Sequence, residues 1–190
     1  MSLIHEAILT TATAEGATHI APLGFRREGE WIVLAPFHPS RTLDNLRATG
    51  RAALSHTDDV RVFAGCLTGR RDWPLVPCER IACGRLETAL SHVELEVVRV
   101  EEDTTRPRFL CREAGVFNHA PFPGHNRAQA AVIEACILVS RLGMLPADKV
   151  DRELAYLDIA IEKTAGPRER EAWGWLLDKI AAHRAASHAA

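Results

Sequence analysis

Long apolar runs are missing from this chain. Its longest are about half the ~20 residues that a membrane-spanning helix requires, so no transmembrane segment is expected. A secretory leader is not expected either, because the opening MSLIHEAILTTATAEG has no basic n-region and His5 and Glu6 break its apolar stretch. An excess of one charge sign is also lacking. The 23 basic residues face 25 acidic ones for a net charge of -2, which argues against the strongly basic face of a nucleic-acid binder. Cysteines are few: Cys66, Cys78, Cys83, Cys111 and Cys136, an odd number at irregular spacing. Without an export signal they are expected to be reduced and mostly buried, in a cytoplasmic protein. Lysine is scarce, with Lys149, Lys163 and Lys179 against 20 arginines. Arginine's planar fork suits phosphate and carboxylate, but base composition accounts for most of the skew, so only arginines placed where an anion would sit carry information.

Motifs are equally sparse. No P-loop, dinucleotide fingerprint, nucleophile elbow or zinc helix is present. Cys78 and Cys83 are not followed by a second pair, and His119 and His125 flank a Pro-rich loop without a carboxylate at ligand spacing, so no metal is expected.

What is present is a switch in periodicity. A chain of 190 residues suits one domain with a substantial appendage. The first 115 residues read as short strands. Residues 3–13 alternate and end at Glu15-Gly16; residues 18–25 and 31–37 form a hairpin pattern around a Gly-containing turn. Pro22 restricts its strand to an edge, a bulge or a break in pairing. Ser40 and Thr42 are N-cap types, Leu43 and Leu46 give a stripe, and Gly50 stops a short helix. Residues 51–57, 60–64, 79–88, 93–100 and 107–114 read as further strands, with 68–77 as a loop. From Asn126 the apolar spacing becomes helical, with helices ending at Gly143, spanning about 147–164, and spanning about 168–184 after Gly166-Pro167. Strands followed by helices predict the α+β class: an antiparallel barrel or sandwich over 1–115, with a helical region over 116–190 packed on it.

Four places could bind a ligand. The turn before Ser40, Arg41 and Thr42 opens a helix, where free N–H groups and the positive dipole end favour an anion; an ordinary Ser cap beside a solvated Arg gives the same pattern. Ala21, Pro22, Leu23 and Gly24 lack bulk, which lets a flat ligand approach the backbone, as does a packed edge bulge. Thr57, Asp58 and Asp59 end a strand and suit polar ring edges or an Asx turn. Asn126 is an N-cap type, and Arg127 places a cation in the first helical turn against the dipole, which points to a nearby anion or to an ion pair with Glu134.

The order of THIAPLGF, WIVLAPFHPSRTLDNLRATG, TDDV, HNRAQAAVIEACILVSRL and IEKTAGPREREA resembles domain-of-unknown-function family 447, found in methanogenic archaea and methylotrophic bacteria. The resemblance runs over nearly the whole chain and implies a flavin-reductase-like split β-barrel that binds FMN as a homodimer. It implies that Ser40, Arg41 and Thr42 hold the FMN phosphate with Asn45 one turn on. It places residues 21–24 against the isoalloxazine ring, Thr57, Asp58 and Asp59 near the ring or ribityl chain, and Asn126 and Arg127 as a further contact. His125 departs from the aromatic residue expected there. The function implied is a redox flavoprotein of one-carbon or pterin-linked metabolism with an unidentified small-molecule partner. A flavin carrier, sensor or assembly protein without turnover is the alternative. No general acid or base declares itself.

Overall fold

Alternating apolar residues on β1 (His5–Ala12), β2 (Thr18–Glu28), β3 (Trp31–Leu34), β4 (Arg51–His56), β7 (Ser91–Glu101) and β8 (Arg108–Asn118) roll one antiparallel sheet into a barrel. A short helix, α1 (Arg41–Thr49), lies between β3 and β4, and β5 (Leu75–Pro77) and β6 (Gly84–Leu86) form a separate two-stranded sheet. The remaining helices are α2 (Arg61–Thr68), α3 (Arg127–Ser140), α4 (Ala147–Thr164) and α5 (Pro167–His188). The computed structural model describes residues 3–188. They divide into two units: residues 3–57 with 73–122, and residues 58–72 with 123–188. No helix among the described residues is long and apolar enough to cross a membrane.

In the first unit the strands run in the spatial order β1-β2-β3-β8-β7-β4, and β4 closes back on β1 through Leu9↔Leu54. The interior gathers Ala7, Leu9, Phe25, Ile32, Leu34, Leu54, Val93, Leu95, Phe109 and Cys111. Leu43 and Leu46 of α1 belong to the same cluster. Burying each contributes about 1.5–3 kcal/mol, so the helix is fastened by its apolar stripe. Asn45, one position before Leu46, is buried, and its Nδ2 donates to Thr11 Oγ1 at 3.0 Å. Gly50 ends the helix in the left-handed conformation, φ 64°, where a side chain would be strained.

β1 is buried on both faces from Ala7 onward. Its outward-facing Thr10 donates to the Gly84 carbonyl at 2.6 Å, and Ser55 of β4 accepts from the Leu86 N–H at 3.3 Å. These two hydroxyls dock β6 on the barrel's outer wall. β2 pairs with β1 along Thr18–Phe25 but with β3 only from Phe25 to Glu28. Residues 18–24 therefore have a strand neighbour on one side only, and Pro22 sits within that stretch.

In the second unit α2 packs against α3 and α5, and α3 against α4 and α5. Asn126 caps α3, accepting from the N–H groups of Ala128 (2.8 Å) and Gln129 (3.2 Å), while its Nδ2 donates to the Thr164 carbonyl at 3.1 Å. Glu169, in the first turn of α5, accepts from the Gly166 N–H and from Gln129 Nε2. Two turns therefore hold three helices together through side-chain caps.

Several elements depart from the sequence reading, one of them β5 (Leu75–Pro77), which forms inside the stretch 68–77 expected as a loop. Residues 60–64 are not a strand: they fall at the start of α2, where Val62, Phe63, Ala64, Gly65 and Cys66 are all buried. A short run buried all round carries no period that separates helix from strand. The strand expected over 79–88 shrinks to Gly84–Leu86, because residues 79–81 turn inward to hydrogen-bond a carboxylate. α3 stops at Ser140 rather than at Gly143.

Candidate functional site

The segment from β3 into α1 is braced before it reaches the helix. Arg106 donates through Nε and Nη2 to the Ala35 carbonyl at 3.1 and 2.8 Å, and its guanidinium lies 4.2 Å over the Phe37 ring. The His38 N–H donates to the Thr105 carbonyl at 2.9 Å. Ser40 then caps α1, its Oγ accepting from the Leu43 N–H at 3.2 Å. Helix geometry leaves the N–H groups of Arg41 and Thr42 without an intrahelical acceptor. Thr42 is buried, whereas Arg41 is exposed and has no partner among the described residues. A fixed helix end thus combines a hydroxyl, free N–H groups and an unpaired guanidinium. Asn45 faces the other way, its amide engaged by Thr11 inside the barrel.

Ala21, Pro22, Leu23 and Gly24 lie on β2, opposite Leu9, Ile8, Ala7 and Glu6. All four are half-buried, and all lie where β2 has no β3 neighbour. Leu23 packs against the barrel core. A Cβ on Gly24 would meet Ile4 Cγ2 at 2.9 Å and Glu6 Oε1 at 3.1 Å, so this glycine makes room for the side chains of Ile4 and Glu6. Ala21 and Pro22 remain the small residues on the singly paired edge.

β4 ends in His56, whose Nδ1 lies 3.1 Å from Ser91 Oγ and whose ring is 6.0 Å from that of Phe25. Burial first, then the neighbouring His5, Arg27 and His92, lowers its pKa. Thr57 follows at the end of the first unit, and Asp58 begins the second. Asp59 is buried and grips Arg61: its carboxylate accepts from the Arg61 main-chain N–H at 3.1 Å, from Nε at 2.9 Å and from Nη2 at 2.6 Å. Burial works to raise the Asp59 pKa, but Arg61 outweighs it and the net shift is downward. Asp59 is thereby a capping and ion-pairing residue of α2. Asn126 is likewise occupied as the α3 cap, and Arg127 beside it is exposed without a partner among the described residues. The expected residues therefore fall into two groups. Residues 21–24, 40–42, 45 and 57 belong to the barrel unit, and Asp58, Asp59, Asn126 and Arg127 to the helical one.

Sequence reasoning set aside Cys78, Cys83 and His119 and missed the partners that gather around them in a polar cluster on the outer wall of the barrel. Cys78, Glu79, Cys83, His92, Glu94 and His119 gather there from the β5–β6 loop, from β7 and from the residue that follows β8. Carboxylates at ligand distance from a histidine are present, but topology supplies them, not local spacing. The alternating run at 91–95 was the available signal, since it puts His92 and Glu94 on the face opposite Val93 and Leu95.

Comparison with known proteins places this architecture. The model for the N-terminal domain of the protein of unknown function DUF447 matches residues 5–119, and the second DUF447 model matches residues 126–178. Among solved structures, an FMN-bound protein from Methanosarcina mazei assigned to the same family superposes with TM-score 0.80 at 20% identity, covering 94% of this chain and 96% of that one. The 2-nitrobenzoate 2-nitroreductase NbaA of Pseudomonas fluorescens superposes with TM-score 0.53 at 20% identity, over 60% of this chain and 64% of that one. The styrene monooxygenase flavin reductase of Pseudomonas putida S12 gives 0.51 at 16% identity, over 60% and 79%. No curated protein sequence matches the chain. The fold is accordingly the split barrel of flavin-reductase-like proteins, with helices following it. With both models matching and together covering most of its length, the chain belongs to the DUF447 family.

Proposed function

We propose that this protein is an FMN-binding flavoprotein that exchanges electrons with a small molecule and works as a homodimer. The observation that carries the reading is the unpaired Arg41 guanidinium beside the Ser40 cap, at the open N-terminus of a helix anchored in the barrel. That combination fits a phosphate monoester: N–H groups and the helix dipole face the anion, and arginine supplies a planar donor pair. The likeness to an FMN-bound protein of the same family supports the choice of ligand. Ala21 and Pro22, on the edge of β2 that lacks a β3 neighbour, suit the approach of a flat ring to the backbone. Asn45 positions the helix by its bond to Thr11. Bound FMN would supply hydride or single-electron chemistry; the chain's own part is to hold the phosphate, orient the ring and shield it. One-carbon or pterin-linked metabolism is the setting that family membership favours.

Titration of the flavin-free protein with FMN and with riboflavin, followed by flavin fluorescence, tests the phosphate site. Wild type should prefer FMN. Ser40→Ala/Arg41→Ala should weaken FMN binding about 10- to 100-fold, the loss of roughly 1.5–3 kcal/mol from a hydrogen bond to a charged group, and leave riboflavin affinity unchanged. Equal affinity for the two flavins in wild type, or unchanged FMN affinity in the variant, would overturn the assignment. Reduction of the bound flavin by NADH or NADPH, with transfer to a pterin acceptor, separates turnover from carriage.

A further inference from the structure

Outside the barrel, well away in sequence from α1, two carboxylates meet at a single imidazole nitrogen. His92 is fully buried on the outward face of β7, and its Nε2 lies 3.1 Å from Glu79 Oε2 and 3.2 Å from Glu94 Oε1. Cys78 presents its sulfur to the same spot: one ligand atom each of Cys78, His92 and Glu94 all fall within 4.8 Å of one another. The Arg85 guanidinium is 3.5 Å from the other oxygen of Glu79, Oε1. A thiol, an imidazole and the Glu94 carboxylate thus form one group, and the Glu79 carboxylate reaches it at His92 Nε2.

The spacing around His92 Nε2 is that of a coordination sphere. Four ligands at about 2.0–2.3 Å around a tetrahedral ion stand roughly 3.3–3.7 Å apart along each edge. The two nitrogen-to-oxygen distances at His92 are within about 0.2 Å of that edge, and the Cys78 sulfur, within 4.8 Å of the His92 and Glu94 ligand atoms, moves inward to complete it. The outer supports are in place as well. His92 Nδ1 lies 2.9 Å from His119 Nε2, with the ring planes 8° apart, and Phe117 stacks on His92 at 4.9 Å. Glu94 is held by the main-chain N–H groups of Glu79, Arg80 and Ile81 at 2.6, 2.8 and 3.0 Å. A ligating histidine whose second nitrogen is hydrogen-bonded, and a ligating carboxylate fixed from behind, are the usual outer shell of a metal site.

We propose that Cys78 Sγ, Glu79 Oε2, His92 Nε2 and Glu94 Oε1 form a closed site for a divalent ion of the zinc class, which pins the 78–83 loop to the barrel wall. Mixed thiolate, imidazole and carboxylate donors suit zinc rather than magnesium or calcium. Binding releases the Cys78 thiol proton, and the imidazole proton resides on Nδ1, where His119 Nε2 accepts it. Four protein ligands leave no open position, so the ion is structural.

The test uses untagged full-length protein in a non-thiol reductant, dialysed and analysed for zinc by mass spectrometry and by zinc-edge X-ray absorption, a measurement to which flavin is silent. One zinc per chain with one sulfur at about 2.3 Å and three nitrogen or oxygen neighbours at about 2.0–2.1 Å is expected. Cys78→Ser should remove the sulfur scatterer. Glu79→Gln, at a half-exposed side chain that leaves folding intact, and His119→Ala should each weaken zinc affinity about 10- to 100-fold in competition with a chromophoric chelator. Wild type retaining no zinc after incubation with it, or a sulfur scatterer that persists in Cys78→Ser, would overturn the proposal. So would an affinity indifferent to both Glu79→Gln and His119→Ala.

Discussion

Replacing Glu94 by Gln tests the central polar contact of the barrel wall with almost no change in volume. The carboxylate is fully buried and accepts three main-chain N–H groups as well as His92 Nε2. Glu79 N–H and His92 address Oε1, while Arg80 and Ile81 N–H address Oε2. A glutamine amide has one oxygen. Whichever way it turns, its NH2 faces at least one main-chain donor, and each buried donor left unsatisfied costs about 1–3 kcal/mol. The surviving bonds also lose their charge assistance, so the total should reach about 3–5 kcal/mol, the range for breaking a buried charged network. For a chain of this size that is a fall of roughly 6–20 °C in Tm, read by calorimetry with a chelator in every sample. The pH dependence follows from the direction of the Glu94 shift. Burial alone would raise its pKa, but the Glu79 N–H, His92 and the Arg80 N–H outweigh it and the net is lowered. The folded state therefore binds fewer protons than the unfolded state between the two pKa values. Its contribution is complete above the ordinary carboxylate range and disappears as pH falls through the folded value. Glu94→Gln should flatten the acid limb, leaving the parts due to the other carboxylates with lowered pKa, Asp59, Glu15, Asp103 and Asp148. A Tm change under about 2 °C, or an acid limb of unchanged slope, would refute this account.

Other substitutions probe the helical unit and the thiols. Asp59→Ala removes the capping and ion-pair partner of Arg61 and should destabilise by about 2–4 kcal/mol in urea unfolding, with Asp59→Asn recovering part of the loss. Asn126→Ala strips the α3 cap and its link to Thr164 and should cost about 1–2 kcal/mol in urea unfolding. Burial raises the pKa of Cys66 to about 11 and those of Cys111 and Cys136 to about 12. Native protein should therefore leave these three unlabelled by a thiol reagent at pH 8, while denatured protein yields all five.

Legibility tracked how local the determining contacts are. α1 was readable because its cap, stripe and stop are consecutive in the chain: Ser40, Leu43 and Leu46, Gly50. The bounds of α4 were likewise carried by local spacing. The helix at 61–68 was not readable, since burial on every side erases the period that marks a helix. The site was legible in kind but not in detail. Ser40 and Arg41 stand where an anion would be met, yet Asn45 is turned inward by Thr11, 34 positions away, and Asp59 is taken by Arg61. Nothing at spacing one to four from Cys78 announces His92 or Glu94. A strand register and a hairpin loop bring them together.

The route of the chain through the two units constrains any attempt to dissect the protein. It crosses from one to the other after residues 57, 72 and 122, and the helix carried by the middle excursion, α2, packs on α3 and α5. A fragment cut near residue 122 would keep Val62 and Phe63 but lose the helices that cover them, and the complementary fragment would present bare apolar faces on α3 and α5. During synthesis the same exposure lasts until the chain has been extended through Trp173 and Leu176, buried residues of α5. Half-chains should be sticky and dependent on chaperones, and the two halves co-expressed should rescue one another.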